Sequence, residues 1–414
     1  MLEDISSKLS ISQYGGKKGV GTEHLLVSLV DRVKHLLDSS ITPAAVIVAQ
    51  ADWATAFDRI DPTCAILKFI KLGVRPSLIP ILISYISGRS MTVRYNDKLS
   101  TPRSLIGGGP QGTLIGGLYY IVASEDSGSE LSDEEKYKYF DDLSVVELVL
   151  LGGLLTQYDF QEHVASDIAT DQLFLPPSTF KMQQSSENIA KWTDQNKMKL
   201  NEEKSGYTIF TRSKTNFTTR LSLNNQTLTQ TNAVKILGVW LTEDLSFAHN
   251  TKQICIKAYQ RVSMLTKLKY VGVSTEELIN IYILFIRSVT EYCSVVFHTS
   301  LTKEQEHRIE KIQAVCLMVI LGDNYISYEA ALEMTGLEKL VIRRQKRMLN
   351  FSLKCIEHPE NKRFFPPAEI NHEYNTRNQE KFTVNYARTR SYQQSTIPQC
   401  QTLLNQHFHN MNNN

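Results

Sequence analysis

KYKYFDDLSVVELV, residues 136–149, reads as two strand-like runs on either side of an Asp141-Asp142 turn. Upstream, AAVIVAQ at 44–50 is a short apolar, β-branched run and is read as a buried strand that ends at Asp52. Two adjacent strands of one sheet can bring these three carboxylates together. An Asp-Asp turn alone is ordinarily a solvated β-turn, and a strand ending in Asp is common. Three carboxylates held close repel one another strongly unless a divalent cation neutralises them.

Outward from this pair of strands, the pattern mixes helices and strands. SQYGGKKGVG at 12–21 is a Gly- and Lys-rich loop that feeds an amphipathic run from Thr22 to Leu37. Asp61 can cap a helix whose first turn holds Pro62 and which Gly73 ends. A further helix is expected over 77–87, and SMTVRYND then reads as a strand entering a turn. The glycine-rich stretch Gly107-Gly108-Gly109-Pro110-Gln111-Gly112 precedes an apolar helix that runs to about Ala123. The acidic segment at 124–135 is expected to be an exposed connection. A helix near 186–198 and strands near 206–211 and 234–240 follow.

Beyond about residue 250 the periodicity is helical. Ser274-Thr275-Glu276-Glu277 and Thr302-Lys303-Glu304-Gln305 both match the capping box ahead of apolar runs. These readings give an α+β chain with an expected boundary near 246, a helical domain over 246–357 and a polar tail over 358–414.

The chain has 414 residues, enough for two or three compact units. Net charge is only +2, but it is unevenly spread: 24 Lys+Arg face 28 Asp+Glu in the first 250 residues, and 21 face 15 in the remainder. An acidic front and a basic back suit a metal-binding core followed by a phosphate-facing part. The six cysteines are scattered without C-x-x-C spacing, which points to free thiols in a reducing, intracellular compartment. MLEDISSKLS carries no basic or apolar signal region, and the most apolar stretch, Leu278 to Val289, falls far short of the ~20 residues needed to span a bilayer. No membrane association is expected.

Mg²⁺ takes oxygen ligands and keeps positions open for phosphates. A pair of such ions roughly 3.5–4 Å apart suits nucleotidyl transfer. Asp52, Asp141 and Asp142 are the residue types that chemistry requires.

The order of motifs resembles reverse transcriptases, especially those of non-LTR retrotransposons. Asp52-Trp53-Ala54-Thr55-Ala56-Phe57-Asp58 is similar to the segment that opens that family's palm, and Pro110-Gln111-Gly112-Thr113 to the segment that follows it. Tyr139-Phe140-Asp141-Asp142 resembles the family's Tyr-x-Asp-Asp hairpin. Trp192 with Leu200-Asn201-Glu202-Glu203-Lys204, and then Lys235-Ile236-Leu237-Gly238-Val239, resemble its fourth and fifth motifs.

The resemblance implies a right-hand polymerase palm with partial fingers over 1–245 and an all-helical thumb after it. It implies an RNA-directed DNA polymerase that adds dNTPs to a DNA primer on an RNA or DNA template, with two Mg²⁺ ions for which Mn²⁺ can substitute. Asp52, Asp141 and Asp142 would hold the metals. Phe57, Gln111, Gly112, Lys17, Lys18 and Lys204 would bind the nucleotide. Leu237, Gly238, Arg343 and Arg344 would contact primer and template. A retroelement fragment that binds nucleic acid without polymerising is the competing expectation, because only about a dozen residues precede the Lys17 region and the fingers are short.

Three positions depart from the family pattern. Gly16-Lys17 stands where an aromatic-Arg pair is usual, Gly117 where Pro is usual, and Phe140 where a small residue is usual. Phe140 is read as a tolerable change at a strand position.

Overall fold

The computed structural model describes residues 1–41, 44–150, 172–174, 180–212, 216–224, 226–368 and 381–412. The chain divides into two compact units: residues 1–25 with 42–232, and residues 26–41 with 233–414. The expected boundary at 246 moves to 232/233, and most of the helix α1 (Thr22–Ser39) joins the second unit.

The first unit is built on β1 (Ala44–Ala51), whose β-branched and alanine side chains are buried along nearly its whole length. A strand buried on both faces needs partners on both edges. The sheet also contains β2 (Lys136–Tyr139), β3 (Asp142–Leu150), β4 (Gly206–Thr211) and β5 (Thr229–Gln230), in the order β5-β4-β1-β3-β2. β1 is antiparallel to β3, with Ala51 opposite Leu143, and antiparallel to β4, with Gln50 opposite Gly206. This register sets the end of β1 beside the start of β3, which is why Asp52 and the Asp141-Asp142 turn lie at one end of the sheet.

Helices α2 (Pro62–Lys71), α3 (Leu114–Ala123) and α4 (Lys181–Gln195) contribute to the core of this unit. Ala45, Ile47, Ala49 and Ala51 share a cluster with Phe69, Tyr119, Tyr120, Ile121 and Ile189. Asp61 caps α2 as expected, its carboxylate accepting from Thr63 N at 2.9 Å and Cys64 N at 3.1 Å.

The acidic 124–135 segment corrects the expectation of an exposed connection. Ser124, Ser127 and Leu131 are buried while residues 129–130 and 132–134 are exposed, and several of its carboxylates are paired. Glu125 accepts from Ser10 N at 2.8 Å, Asp126 from Lys68 Nζ at 2.6 Å and from Trp192 Nε1 at 2.8 Å, and Glu135 from Lys181 Nζ at 2.5 Å. Its acidity serves local pairing.

The second unit opens with a hairpin, β6 (Ala233–Ile236) and β7 (Val239–Thr242), in place of one strand over 234–240. Leu237 (φ 45°) and Gly238 (φ 88°) form its two-residue turn, the backbone that suits a tight hairpin's twist. Helices α5 (Ala248–Tyr270) and α6 (Lys303–Leu321) pack through Ala258, Val262, Leu265, Ile312, Cys316 and Ile320. Both expected capping boxes are present, Ser274 with Glu277 and Thr302 with Gln305.

Next come α7 (Leu340–Glu357) and α8 (Thr396–Asn412). The latter gives the polar tail expected over 358–414 a packed helix. Cys400, Gln401 and Leu404 of α8 are fully buried. Gln401 accepts from Asn385 N at 2.8 Å and donates to Phe364 O at 3.2 Å. The last residues of the Asn-rich end, 413–414, lie outside the described residues.

All six cysteines are free, and four of them are buried. Among the described residues no single helix is long and apolar enough to cross a membrane.

Candidate active site

Asp52 follows the last residue of β1, and the motif around Asn201 is strapped across it. Asn201 N donates to Asp52 O at 2.8 Å, and Ala54 N to Lys199 O at 2.8 Å. Asp52 N donates to Ser205 Oγ at 3.2 Å. Trp53 is held in the core through Thr193 Oγ1 at 3.1 Å and an edge-on contact with Trp192, centroids 5.7 Å apart. The first and fourth motifs therefore share one place. The Asn201 side chain hydrogen-bonds the Asp52 carboxylate, and Lys204 contributes a favourable charge.

The hairpin carrying the other two carboxylates is tight. Tyr139 pairs with Asp142, leaving Phe140 and Asp141 as the turn. Phe140 has φ 53°, a left-handed conformation costly for a bulky residue. It is a turn residue and not the strand position expected. Backbone strain of this kind concentrates at functional sites.

The electrostatics tie the three aspartates together. Burial raises the Asp142 carboxyl to about 6, with the charges of Asp141 and Asp52 adding to the effect. Among the described residues, no cation offsets these influences on Asp142. Burial also raises Asp52; Lys204 and the Asn201 hydrogen bond oppose the rise, while Asp141 adds to it. Beneath them the Tyr120 hydroxyl is buried without a hydrogen-bond partner. Its pKa is pushed up, first by burial and then by all three aspartates. Sequence reasoning missed Tyr120, because a tyrosine within an apolar helix carries no signal of what lies above it.

Among the described residues, no group of three or more His, Cys, Asp and Glu side chains is gathered closely enough to hold a metal ion. The three aspartates share an electrostatic field without forming a ligand shell. As donors they are three hard oxygen ligands, which suits Mg²⁺ or Mn²⁺.

Phe57 stacks on Tyr120, centroids 4.6 Å apart. The glycine-rich loop docks on the turn that bears Phe57: Gly109 N donates to Phe57 O at 2.7 Å and Gly108 N to Ile60 O at 2.9 Å. A Cβ at Gly108 would lie 3.0–3.3 Å from the Asp58 backbone, which explains a glycine there. Gln111 Nε2 donates to Asp58 Oδ1 at 2.8 Å. Gly112 (φ 75°) is exposed. Phe57 is thereby set against Tyr120, and Gln111 against Asp58.

Lys17 is half-buried and donates to Ser10 O at 2.8 Å, whereas Lys18 is exposed. Their loop lies along the hairpin: Tyr14 N donates to Lys138 O at 2.8 Å and Lys138 N to Ser12 O at 2.9 Å.

The remaining expected site residues are in the second unit. Leu237 and Gly238 form the β6–β7 turn, and Tyr292 Oη donates to Leu237 O at 2.8 Å. The two arginines correct the expectation of phosphate contacts. Arg343 is committed to Glu291, with Nε at 2.5 Å and Nη2 at 3.1 Å. Arg344 is fully buried, its Nε 3.3 Å from His298 Nδ1. Lys346 pairs with Glu338. Arg343 and Lys346 are thus paired within their unit, and Arg344 is buried in it.

No protein-family model matches the chain. Two curated relatives do. The "Probable RNA-directed DNA polymerase from transposon BS" of Drosophila melanogaster is 25% identical over 275 residues, covering 64% of this chain and 27% of the relative. The "Probable RNA-directed DNA polymerase from transposon X-element", also of Drosophila melanogaster, is 25% identical over 257 residues, covering 61% and 25%. The chain thus spans about a quarter of the length of the curated relatives it matches. The resemblance that the five motifs carry is therefore found in named relatives. Among solved structures, the apo telomerase of Candida tropicalis has a TM-score of 0.40 at 12% identity, covering 87% of this chain and 52% of that one. The telomerase of Candida albicans in complex with a fragment of telomeric RNA has a TM-score of 0.35 at 9% identity, covering 87% and 55%.

Proposed function

We propose that this chain is the polymerase portion of a transposon-encoded reverse transcriptase, an RNA-directed DNA polymerase that extends a primer on an RNA template. The observation that carries the reading is the shared charge of Asp52, Asp141 and Asp142 at one end of the sheet. The register of two adjacent strands brings them there, and the penalty on Asp142 has no cation to relieve it.

Asp52, Asp141 and Asp142 would hold the divalent ions. When bound, two such ions supply charge neutralisation, activation of the primer 3′-hydroxyl and stabilisation of the leaving pyrophosphate. The chain's own residues do the positioning. Asn201 and Lys204 both favour the ionised form of Asp52 against the burial that raises it. Phe57, fixed on Tyr120, presents a ring that discriminates against a 2′-hydroxyl by volume. Gln111, tied to Asp58, and Gly112 border the nucleotide. Lys17 and Lys18 meet the triphosphate as compact point charges. Leu237 and Gly238 meet the primer strand. The carboxylate sheet is this polymerase's palm, and the helical second unit its thumb.

The test is incorporation on primed RNA with dNTPs and Mg²⁺. Wild type should extend the primer, and Asp141→Asn with Asp142→Asn should abolish extension. No extension by wild type, with salt-dependent binding retained, would replace this reading with a nucleic-acid-binding role. Extension that survives the double substitution would place the chemistry elsewhere.

A further inference from the structure

The three departures from the family pattern, Gly16, Gly117 and Phe140, meet at one place. The Phe140 ring leaves its left-handed turn and enters a notch lined by glycine. A Cβ at Gly117 would lie 3.2 Å from Phe140 Cε1, and one at Gly16 would lie 3.4 Å from Phe140 Cζ and strike the Ile121 side chain. A Cβ at Gly15 would lie 2.8 Å from Phe140 N and 3.0 Å from Cδ2. A larger residue at 15 or 117 would thus displace the hairpin or its ring. Gly16 (φ 74°) is further required by its backbone.

The notch joins two segments to which the proposed function gives the divalent ions and the triphosphate. One is the turn that carries Asp141 and Asp142. The other is the loop that carries Lys17. The backbone seam of Ser12 and Tyr14 with Lys138 aligns them, and the ring closes the seam at the turn.

We propose that Phe140 is a positioning residue, a plug in a notch of Gly15, Gly16 and Gly117 that holds the catalytic turn and the Lys17 loop together as one body. Without the plug, the loop is free to move away from the aspartates. The clamp is a property of the fold. Its consequence for nucleotide binding rests on the reading given under Proposed function.

Gly117 and Gly15 separate this idea from general packing. At Gly117 the obstruction is the ring alone, and alanine otherwise favours a helix. At Gly15 the first obstruction is backbone. A smaller side chain at 140 therefore relieves Gly117→Ala and leaves Gly15→Ala unrelieved.

The experiment is hydrogen exchange and nucleotide kinetics on the full chain. Phe140→Ala should speed exchange of both 12–16 and 138–142 by about tenfold or more, while 206–211 in β4 stays unchanged. Gly117→Ala should do the same, and Phe140→Leu in the same chain should restore protection. Phe140→Leu should not restore Gly15→Ala. With dNTPs, Phe140→Ala should raise KM by about tenfold with little change in kcat, whereas partial unfolding would lower apparent kcat alone. Unchanged exchange at 12–16 in Phe140→Ala, or equal rescue of both glycine variants, overturns the clamp. A wild type that incorporates no nucleotide overturns the polymerase reading and leaves the exchange results to decide the clamp.

Discussion

Both units hold charge where a fold would not place it without reason, and they treat it differently. In the first unit, Asp142 and its neighbours stand together with only Lys204 and Asn201 to moderate Asp52. In the second, Arg343 grips Glu291 in a two-point pair, while Arg344 is fully buried with its Nη1 and Nη2 unpartnered among the described residues. The first arrangement stores repulsion, which a bound cation would relieve. In the second, the Arg343–Glu291 pair spends its charge on cohesion. A charged cluster indicates chemistry when the fold leaves it uncompensated, and architecture when the fold has already answered it.

The largest effect that tests this contrast is on catalysis. Asp52→Asn should lower nucleotide incorporation by about a thousandfold or more, since it removes a charge needed only with metal and substrate present. Its thermal midpoint should not fall. A midpoint that drops with activity would make Asp52 structural and erase the contrast.

Substitutions in the second unit should show the converse. Arg344→Ala should cost about 3 kcal/mol by leaving a cavity, while Arg344→Met should cost much less by refilling it. Neither should change the salt dependence of nucleic-acid binding. A flatter salt slope for Arg344→Met would return that arginine to the nucleic-acid interface.

The pH dependence of stability should run in opposite directions. Asp142 has a raised folded value of about 6. Its stability contribution is therefore intact below the unfolded value near 4 and is lost as pH rises through about 6. At neutral pH, Asp142→Asn should stabilise the chain by about 1 kcal/mol, a figure reduced for screening at this partly exposed site. His298 is depressed to about 4, first by burial and then by Arg344. Its contribution is intact above about 6.5 and is lost as pH falls toward 4. Unfolding followed across pH in Asp142→Asn and His298→Gln separates the two.

The smallest effect lies at the β6–β7 turn. Gly238→Ala should cost about 1 kcal/mol, from its φ of 88° and the Tyr292 ring 3.2 Å from an added Cβ. Chemical denaturation reads it directly. A neutral substitution would show that the turn relaxes.

Where local patterns decide structure, the sequence was readable. The β-branched run before Asp52, the Asp61 cap and both capping boxes depend on near neighbours, and all were found where expected. The meeting of Asn201 with Asp52 was legible only through motif order, because the link is a backbone bond between distant segments. Three features were not legible. The partners of Glu125, Asp126 and Glu135 are Ser10, Lys68, Trp192 and Lys181, all distant in sequence. The arginines of α7 look solvated in one dimension, and only packing against Glu291 and His298 shows otherwise. Phe140 favours a strand by composition, yet the two-residue turn imposes a left-handed backbone on it.

The central claim is the proposal that Asp52, Asp141 and Asp142, which share a field at one end of the sheet without forming a ligand shell, bind a divalent cation. The most direct measurement is the thermal midpoint at neutral pH with and without Mg²⁺ or Mn²⁺, for wild type and for the variant with Asp52→Asn, Asp141→Asn and Asp142→Asn. The account predicts that the ion raises the wild-type midpoint, and that the variant starts higher and does not respond. A wild-type midpoint indifferent to the ion, or a response retained in the variant, would contradict it.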